Sequence, residues 1–359
     1  MKNAHLAPAL LSAIALACLA GGCRTADSLS LWADGAPSKR ALVEYVAAVT
    51  DEKSPDFIPP ERRIAVFDFD GTLFCETDPT YFDWQMFESR VLDDPTCRAT
   101  ETQKSVARKS RETGACPPLG KDYARMLAQA YEGLTLDELD AATRRFMEEP
   151  EPGYPGMKRG EMFYAPMVQL VEYLVEKGFA VYVVSGSDRF LVRALVRGRL
   201  PVPPWRVIGS DSGVVARGQK GEDALFYTYK RGDDLVLDGT SIVKNLQMNK
   251  VTAIVRDIGV KPVLSFGNSH TDDSMANYVV GANEYRSLAF MLLCDDLKRE
   301  NGNMKKADDL KRSCRENGWL PVSMRDDWNV IYTVHARAAD HSQRDGTVQF
   351  SGETAQFAD

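Results

Sequence analysis

Cysteine, histidine and clustered positive charge are all scarce in this chain. Its 359 residues include seven cysteines and four histidines, and no two cysteines form a CxxC pair, which argues against a structural zinc cluster. Lysine and arginine number 44 against 51 aspartates and glutamates, a net charge of −7, and no basic run is present. We therefore expect no nucleic-acid partner, and nothing in the composition indicates a protein partner.

Apolar runs long enough to span a bilayer are also lacking. The stretch from Leu6 to Ala20 is apolar but short and is interrupted by Pro8, as in a signal peptide. The following "LAGGC" resembles a bacterial lipoprotein cleavage site, which predicts a signal peptide over residues 1–22 and lipidation of Cys23. We expect export, with a lipid anchor in the bacterial envelope facing the periplasm or cell surface as its membrane contact; ordinary secretion is the alternative.

The remaining cysteines have two interpretations in an exported protein. Cys97 with Cys116 and Cys294 with Cys314 are close in sequence and are candidate disulfides in an oxidising compartment. Buried free thiols explain the same residues equally well, because sequence does not fix connectivity. Cys75 is then unpaired and lies close to an acidic pair.

Short continuous apolar runs indicate a parallel sheet. "IAVF" at 64–67 is the first, and similar runs begin at Phe179, Trp205, Lys261 and Leu288. Such runs are typical of strands that are covered on both faces. Amphipathic, helix-like segments precede several of them. The alternation predicts a doubly wound α/β fold with a mainly parallel sheet.

About a hundred residues between the first two strands lack a parallel-strand pattern and have helical character. Thr135 and Glu138 even form a capping box. A polar stretch, residues 214–240, alternates and turns like β-hairpins. The predicted organisation is a signal peptide (1–22), a tether (23–38), a core (39–72 and 164–338), a helical cap inserted into it (73–163), and a loose C-terminal tail (339–359).

Polar residues follow several of the predicted strands. Asp68 and Asp70 follow the first, Ser185 follows the second, and the loop 267–273, "GNSHTDD", follows a later one. Lys250 opens a predicted helix. Because ligands bind beyond the carboxyl ends of strands in an open α/β sheet, we expect these groups to meet at one rim.

Two adjacent carboxylates need a cation or a proton between them, because like charges repel. Mg²⁺ is a suitable cation, since it is usually held by one or two carboxylates together with substrate phosphate. A calcium loop is excluded, because Gly71 is fourth from Asp68 rather than sixth. A carboxylate can attack phosphorus, and a second acid can protonate the leaving alcohol. An Asp-Gly turn without function is the simpler alternative.

Four motifs carry a family resemblance. "DFDGT", "VVSGS", the helix-opening lysine and "FGNSHTDDSM" resemble those of the haloacid dehalogenase superfamily. The helical insert resembles the C1 cap of its phosphoserine-phosphatase-like branch. "LWADGAPSKRALVEYV" and the segment up to "DFDGTLF" are similar to exported bacterial members related to phosphorylcholine phosphatase. The resemblance extends over most of the chain, about Leu31 to Tyr332.

The resemblance implies a role for each matching residue. Asp68 would be the nucleophile and Asp70 the general acid and base, with Thr72 orienting them. The groups implied to bind the phosphoryl moiety are Gly71, Ser185, Gly186 and Lys250. The implied Mg²⁺ ligands are Asp68, the backbone carbonyl of Asp70, Asn268 and Asp272.

Two positions leave alternatives open. Many relatives have aspartate where this chain has Asn268, which brings no charge to the metal, so Asp272 is the expected anionic contributor and Asp273 the near alternative. Lys244 competes with Lys250 for the lysine role. We favour Lys250, because a helix start at this edge points at the phosphate.

The predicted function is an Mg²⁺-dependent phosphomonoesterase that forms an aspartyl-phosphate on a small phosphorylated metabolite, with phosphocholine- and phosphoserine-like esters as candidates. The alternatives are a phosphotransferase with the same intermediate and a non-catalytic lipoprotein binding module. Four aromatic residues at the start of the insert form either a substrate wall, including a cation–π cage, or the cap's own core: Tyr81, Phe82, Trp84 and Phe87. Asp83 is either a substrate contact or a solvated side chain.

Overall fold

Four consecutive apolar residues form the central strand of the fold, and all four are buried. The computed structural model describes residues 29–77 and 80–333. Its sheet has the strand order β4-β3-β2-β1-β5-β6-β7. The strands are β1 (Ile64–Phe67), β2 (Ala180–Asp188), β3 (Val207–Ala216), β4 (Leu235–Val243), β5 (Leu264–Gly267), β6 (Leu288–Leu293) and β7 (Leu320–Ser323).

The helices cover both faces of this sheet and fill the long segment between β1 and β2. They are α1 (Pro37–Thr50), α2 (Phe82–Leu92), α3 (Glu101–Thr113), α4 (Lys121–Ala130), α5 (Leu136–Met147), α6 (Ala165–Glu176), α7 (Arg189–Val196), α8 (Met248–Ala253), α9 (Asp273–Val280) and α10 (Met304–Asn317). A π-helical turn (Ile254–Ile258) extends α8, and Gly259 ends it with a φ of 72°.

All sheet pairings are parallel except that of β3 with β4, which is antiparallel. This confirms the predicted α/β fold and the hairpin-like character of the polar stretch. The strand predicted from Trp205 begins later, at Val207, because a short 3₁₀ turn (Pro204–Arg206) precedes it. The sequence analysis missed β7, which is short, contains Pro321 and lies at the sheet edge, where a missing amide is tolerated.

Aromatic rings hold the centre of the sheet together. Phe67, Phe266 and Phe290 occupy matching positions on β1, β5 and β6. Neighbouring rings stack, with centroids 4.3 Å and 5.0 Å apart. These contacts fix the register of the strands whose carboxyl ends carry the polar motifs.

Helices α2–α5 occupy the segment predicted to be a cap. Thr135 caps α5 in the expected capping box with Glu138, and Thr100 caps α3 in the same way with Gln103. The division of the chain into core and cap stays our interpretation, and we use "cap" for residues 73–163. No helix in the described ranges is long and apolar enough to cross a membrane.

The predicted tether needs correction where the structure describes it. Leu29 and Trp32 are buried, and the Trp32 indole donates a hydrogen bond to the Pro166 carbonyl at 3.0 Å. Trp32 also forms a bridge with Trp328, so this part belongs to the folded body. The signal peptide, Cys23 and the predicted tail lie outside the described residues.

One buried carboxylate links cap and core. Glu300 accepts hydrogen bonds from Tyr154 at 2.8 Å, from Tyr164 and Cys75 at 3.1 Å and from Thr77 at 3.2 Å, and also from Tyr332. Burial raises its pKa, and the hydrogen bonds from the three tyrosines and Cys75 oppose that rise. We call Glu300 and these five residues the Glu300 cluster. The cluster holds both segments that connect the cap to the core, because Cys75 and Thr77 lie in the first connecting segment and Tyr154 lies in the second.

Candidate active site

Asp68 and Asp70 follow β1 at the carboxyl edge of the sheet, as predicted. The Asp68 amide continues the ladder to the Phe266 carbonyl at 2.8 Å, and Gly71 then turns the chain with a φ of 77°. A Cβ on Gly71 would lie 1.9 Å from the Asn268 side-chain nitrogen and 2.8 Å from the Glu76 carboxyl carbon. Only glycine fits here, because both the dihedral and the space exclude a side chain.

Lys250 lies at the centre of the acidic rim. Its Nζ is 2.5 Å from Asp68 Oδ1 and 2.6 Å from Asp272 Oδ1, and its side chain is 1% exposed. Burial lowers the lysine pKa, but the two carboxylates outweigh it and raise the pKa overall. Lys244 lines the cavity beside this rim, with its Nζ 4.8 Å above the Tyr123 ring, and forms no ion pair with Asp68 in the described residues. The structure therefore brings Lys250, rather than Lys244, into contact with Asp68.

Asp272 fastens the loop that follows β5. Its Oδ2 accepts hydrogen bonds from the backbone amides of Asn268 at 3.1 Å and Ser269 at 3.2 Å, while Oδ1 holds Lys250. Both oxygens of Asp272 are thus already engaged by protein donors. Asp273 instead contacts the exposed His270 ring at 3.0 Å. Of the two candidate aspartates, Asp272 is the one that faces the site.

The two rim aspartates have raised pKa values. Burial, followed by the Asp272 charge, raises the pKa of Asp68 to about 7 against the opposing effect of Lys250. Burial raises the pKa of Asp70 well above its ordinary value, and the charges of Asp83 and Asp68 add to this. Asp70 is accordingly a carboxyl that keeps its proton to a higher pH than an ordinary aspartate does.

The "SGS" segment of β2 contributes a residue that the sequence analysis missed. Ser187 donates a hydrogen bond from its hydroxyl to Asp70 Oδ2 at 2.7 Å. Ser185 is fully buried, and its Oγ accepts the Ser187 amide at 2.9 Å. Gly186 lines the cavity between them. The second serine of the same motif could have been found, since alternate strand residues share a face.

Thr72 and Asn268 complete the predicted set. The Thr72 hydroxyl is 3.4 Å from Asp68 Oδ2. Asn268 is 4% exposed, and its side chain lines the cavity. In those residues no group of three or more histidine, cysteine, aspartate or glutamate side chains is placed to hold a metal ion. A cation here would depend on amide and backbone oxygens as well as carboxylates.

A small cavity joins the rim to the cap. Its volume is about 40 Å³, room for only a few water molecules. The core residues that line it include Asp68, Asp70, Asn268 and Lys244. From the cap segment it is lined by Glu76, Tyr81, Asp83, Leu119 and Tyr123. Asp83 and Lys244 also line a neighbouring cavity of about 30 Å³ under α4, so the two cavities adjoin there.

The four aromatic residues at the start of the cap lie in two different environments. Trp84 stacks with Phe87 and with Tyr123, at centroid distances of 4.6 Å and 4.7 Å, and its indole donates a hydrogen bond to Ser110. Phe82 packs against Phe146 at 5.2 Å and is buried as well. Three of the four therefore form the cap's own core, and Tyr81 alone of them faces the cavity.

The cysteines do not form disulfides in the described ranges. Cys75, Cys97, Cys116, Cys294 and Cys314 are free thiols. Neither candidate pair is bonded, so the free-thiol alternative describes this structure. Cys75 is instead a hydrogen-bond donor to Glu300.

The family model for haloacid dehalogenase-like hydrolases matches residues 65–277, which span the rim from Asp68 to Asp272. The chain belongs to this family. A search of curated proteins found no match for this haloacid dehalogenase-like hydrolase.

Several solved structures match this chain at low sequence identity. A protein of unknown function from Bordetella pertussis Tohama I is 16% identical with a TM-score of 0.45, covering 73% of this chain and 98% of its own. Cytosolic 5'-nucleotidase IIIB bound to cytidine is 16% identical with a TM-score of 0.42, covering 76% and 82%. A phosphoserine phosphatase in apo form is 14% identical with a TM-score of 0.35, covering 69% and 92%.

Proposed function

We propose that this haloacid dehalogenase-like hydrolase is an Mg²⁺-dependent phosphomonoesterase that acts on a small phosphorylated metabolite through an aspartyl-phosphate on Asp68. The observation that carries the proposal is the contact of Lys250 Nζ with both Asp68 and Asp272. It places a fixed positive charge beside a buried carboxylate at the rim where ligands of α/β sheets bind. Phosphoryl transfer depends chiefly on such positioning and charge neutralisation.

Asp68 is suited to nucleophilic attack. Lys250 holds Oδ1, whereas the contact of Oδ2 with Thr72 is long, 3.4 Å. Oδ2 is therefore the freer oxygen to attack phosphorus, and Lys250 neutralises charge that the transferred group brings close to Asp68. The new Asp68–phosphorus bond replaces the bond from phosphorus to the leaving oxygen.

Asp70 is suited to proton transfer. Its raised pKa keeps a proton available for the leaving oxygen, and its hydrogen bond with Ser187 fixes the carboxyl. After the alcohol leaves, the deprotonated carboxylate can take a proton from the water that cleaves the aspartyl-phosphate. Carbon–halogen hydrolysis has no leaving alcohol to protonate, so Asp70 argues against that reaction.

The residues at the rim fit Mg²⁺, because their donors are oxygens of the kind that hard cations prefer. Asp68, the backbone carbonyl of Asp70 and the side-chain amide oxygen of Asn268, which lines the cavity, would hold the ion. Asp272 would act mainly through the loop amides and Lys250, which already engage its oxygens. When bound, Mg²⁺ would supply charge neutralisation for the nucleophile and the phosphoryl oxygens.

Substrate entry requires the cap to move. The cavity of about 40 Å³ has room for only a few water molecules, so a phosphate ester would need a wider space between cap and core. Closure would exclude water other than the attacking molecule.

Asp68→Asn tests the proposal. The variant should lose at least about a thousandfold in kcat on an aryl phosphate with Mg²⁺, because an amide does not replace the carboxylate nucleophile. Asp122→Asn, an exposed change on α4, is the matched control. Full activity in Asp68→Asn would contradict the mechanism. Release of inorganic phosphate rather than phosphorylated alcohol, with competing alcohols present, would separate a phosphatase from a phosphotransferase.

We also propose export and lipidation at Cys23, on the basis of the N-terminal sequence. Metabolic labelling with a palmitate analogue would test this. A labelled wild type and an unlabelled Cys23→Ser variant are expected, and equal labelling of the two would contradict it.

A further inference from the structure

We propose that Asp83 binds a primary ammonium group on the leaving alcohol, so that the enzyme selects phosphate esters of primary amino alcohols over those of quaternary ammonium alcohols. This inference rests on the proposed phosphatase function and adds the substrate class. Asp83 is the second residue of α2, in the cap, and lies opposite the reacting aspartates.

The Asp83 carboxylate is buried but incompletely satisfied. The residue is 3% exposed; its Oδ1 accepts a hydrogen bond from the Tyr123 hydroxyl at 3.3 Å, and its Oδ2 has no hydrogen-bond partner in the described residues. Leaving a buried carboxylate oxygen without a donor is unfavourable. A ligand that brings a positive charge and N–H donors would remove this penalty.

The location of Asp83 connects it to the reaction. It lines the cavity that contains Asp68 and Asp70, and also the adjoining cavity under α4. Lys244 lines both cavities too, but its Nζ lies 4.8 Å above the Tyr123 ring, and Asp83 Oδ2 receives no hydrogen bond from it. A phosphoryl group at Asp68 therefore has its leaving alcohol on the side toward the cap, where Asp83 lies. The hydroxyl-bearing residue Tyr81 lines the same cavity and offers a second acceptor.

The kind of ammonium follows from what the cavity offers. A quaternary ammonium has no N–H group and is bound by the faces of aromatic rings. Here Trp84 and Phe87 are stacked inside the cap, and the Tyr123 ring is already in contact with Trp84 and with the Lys244 ammonium. Of these aromatic residues that leaves the Tyr81 ring, and a single ring does not form a cage. A carboxylate oxygen and a tyrosine hydroxyl instead suit a group with N–H donors.

The first test compares substrates on the wild-type protein with Mg²⁺. We expect kcat/KM for phosphoethanolamine to exceed that for phosphocholine at least tenfold, and to exceed that for glycerol 3-phosphate as well. Equal or faster turnover of phosphocholine would overturn the inference. This measurement needs no variant, so it decides the matter even if a change at Asp83 impairs folding.

The second test uses Asp83→Asn with Asp122→Asn as control. The ratio of kcat/KM for phosphoethanolamine to that for glycerol 3-phosphate should fall at least tenfold in Asp83→Asn and stay unchanged in Asp122→Asn. Asp83→Asn should also melt no lower than the wild type, because the amide retains an acceptor for Tyr123. An unchanged ratio together with a lower melting temperature would give Asp83 a structural role and overturn the inference.

A binding measurement separates this inference from the proposed function. Calorimetry of phosphoethanolamine with Asp68→Asn, and with the same variant carrying Asp83→Asn, requires no turnover. Loss of at least tenfold in affinity on the second substitution supports the ammonium site, and equal affinities overturn it. Absence of hydrolysis of every ester by the wild type would overturn the phosphatase proposal alone.

Discussion

The buried carboxylate of Glu300 and the buried carboxylates of the candidate active site have different hydrogen-bond partners. Glu300 receives hydrogen bonds from five neutral donors contributed by the cap, the core and the C-terminal segment. The rim carboxylates Asp68 and Asp272 instead share one lysine, and Asp83 retains an oxygen with no donor in the described ranges. The difference separates Glu300 and Asp272, whose oxygens are engaged by protein donors, from Asp68 and Asp83, which keep an oxygen more available to a ligand.

The largest effect should come from the shared lysine at the rim. Lys250→Met should lower kcat about a thousandfold, because it removes the fixed charge beside the nucleophile. Steady-state kinetics on an aryl phosphate would measure this. Lys305→Met, at an exposed lysine of α10, is the control. A larger loss in Lys244→Met than in Lys250→Met would assign the lysine role to Lys244.

The Glu300 cluster should matter for stability rather than for chemistry. Glu300→Ala should lower the free energy of unfolding by about 3 kcal/mol, since several buried donors lose their acceptor and a cavity forms. Glu300→Gln should lose less than half of that, because an acceptor remains. Urea denaturation would measure both, with the exposed Glu316→Ala as control. If Glu300→Ala is as stable as the wild type, Glu300 does not have the structural role that distinguishes it from the carboxylates of the active site.

A negative charge at position 268 tests whether this residue is a metal ligand. Asn268→Asp should raise Mg²⁺ affinity about tenfold, because it adds a negative ligand to an oxygen donor set. Titration calorimetry on chelator-treated protein would show it. Asn277→Asp, an exposed change on α9, should have no such effect. If Asn268→Asp leaves the affinity unchanged, Asn268 is not a ligand.

The smallest expected effect is a change in the pH dependence of stability. The raised pKa of Asp70 means that the folded protein holds a proton that the unfolded chain releases. Its contribution to stability is present below the unfolded pKa, near 4, and is lost as the pH rises through the folded pKa. Asp70→Asn does not lose this stability as the pH rises. With chelator present, the melting temperature of Asp70→Asn minus that of the wild type should therefore increase by about 3 °C from pH 5 to pH 8.

Thermal melts of both proteins at several pH values would test this prediction. A constant difference between Asp70→Asn and the wild type across that range would show that Asp70 titrates normally. Asp122→Asn again provides the control, since its side chain is exposed.

The rim was predictable because its residues stand next to the strands that place them. Asp68 follows "IAVF", and Lys250 opens a helix at the same edge, so local pattern and sheet topology bring them together. Ser187 was missed although it lies in the same motif as Ser185. The identity of the motif was clear, whereas the choice between its two serines depended on strand geometry.

The Glu300 cluster and the burial of Asp83 were not predictable in this way. Glu300 follows "DDLKR", a polar stretch that resembles a solvated loop, and its donors come from three other parts of the sequence. Asp83 looks like an ordinary charged residue in a helix. Only the packing of the cap on the core buries these carboxylates, and no local periodicity encodes that packing.

The pairing of Trp32 with Trp328 has a topological consequence. The Asn329 amide donates to the Leu31 carbonyl at 2.9 Å, so the two ends of the described fold meet. A short linker could join them, and new termini could open in the exposed turns between β3 and β4 without breaking any parallel strand pairing. The fold therefore does not depend on the position of the chain termini. A circular permutant of this kind would keep both chain connections between cap and core.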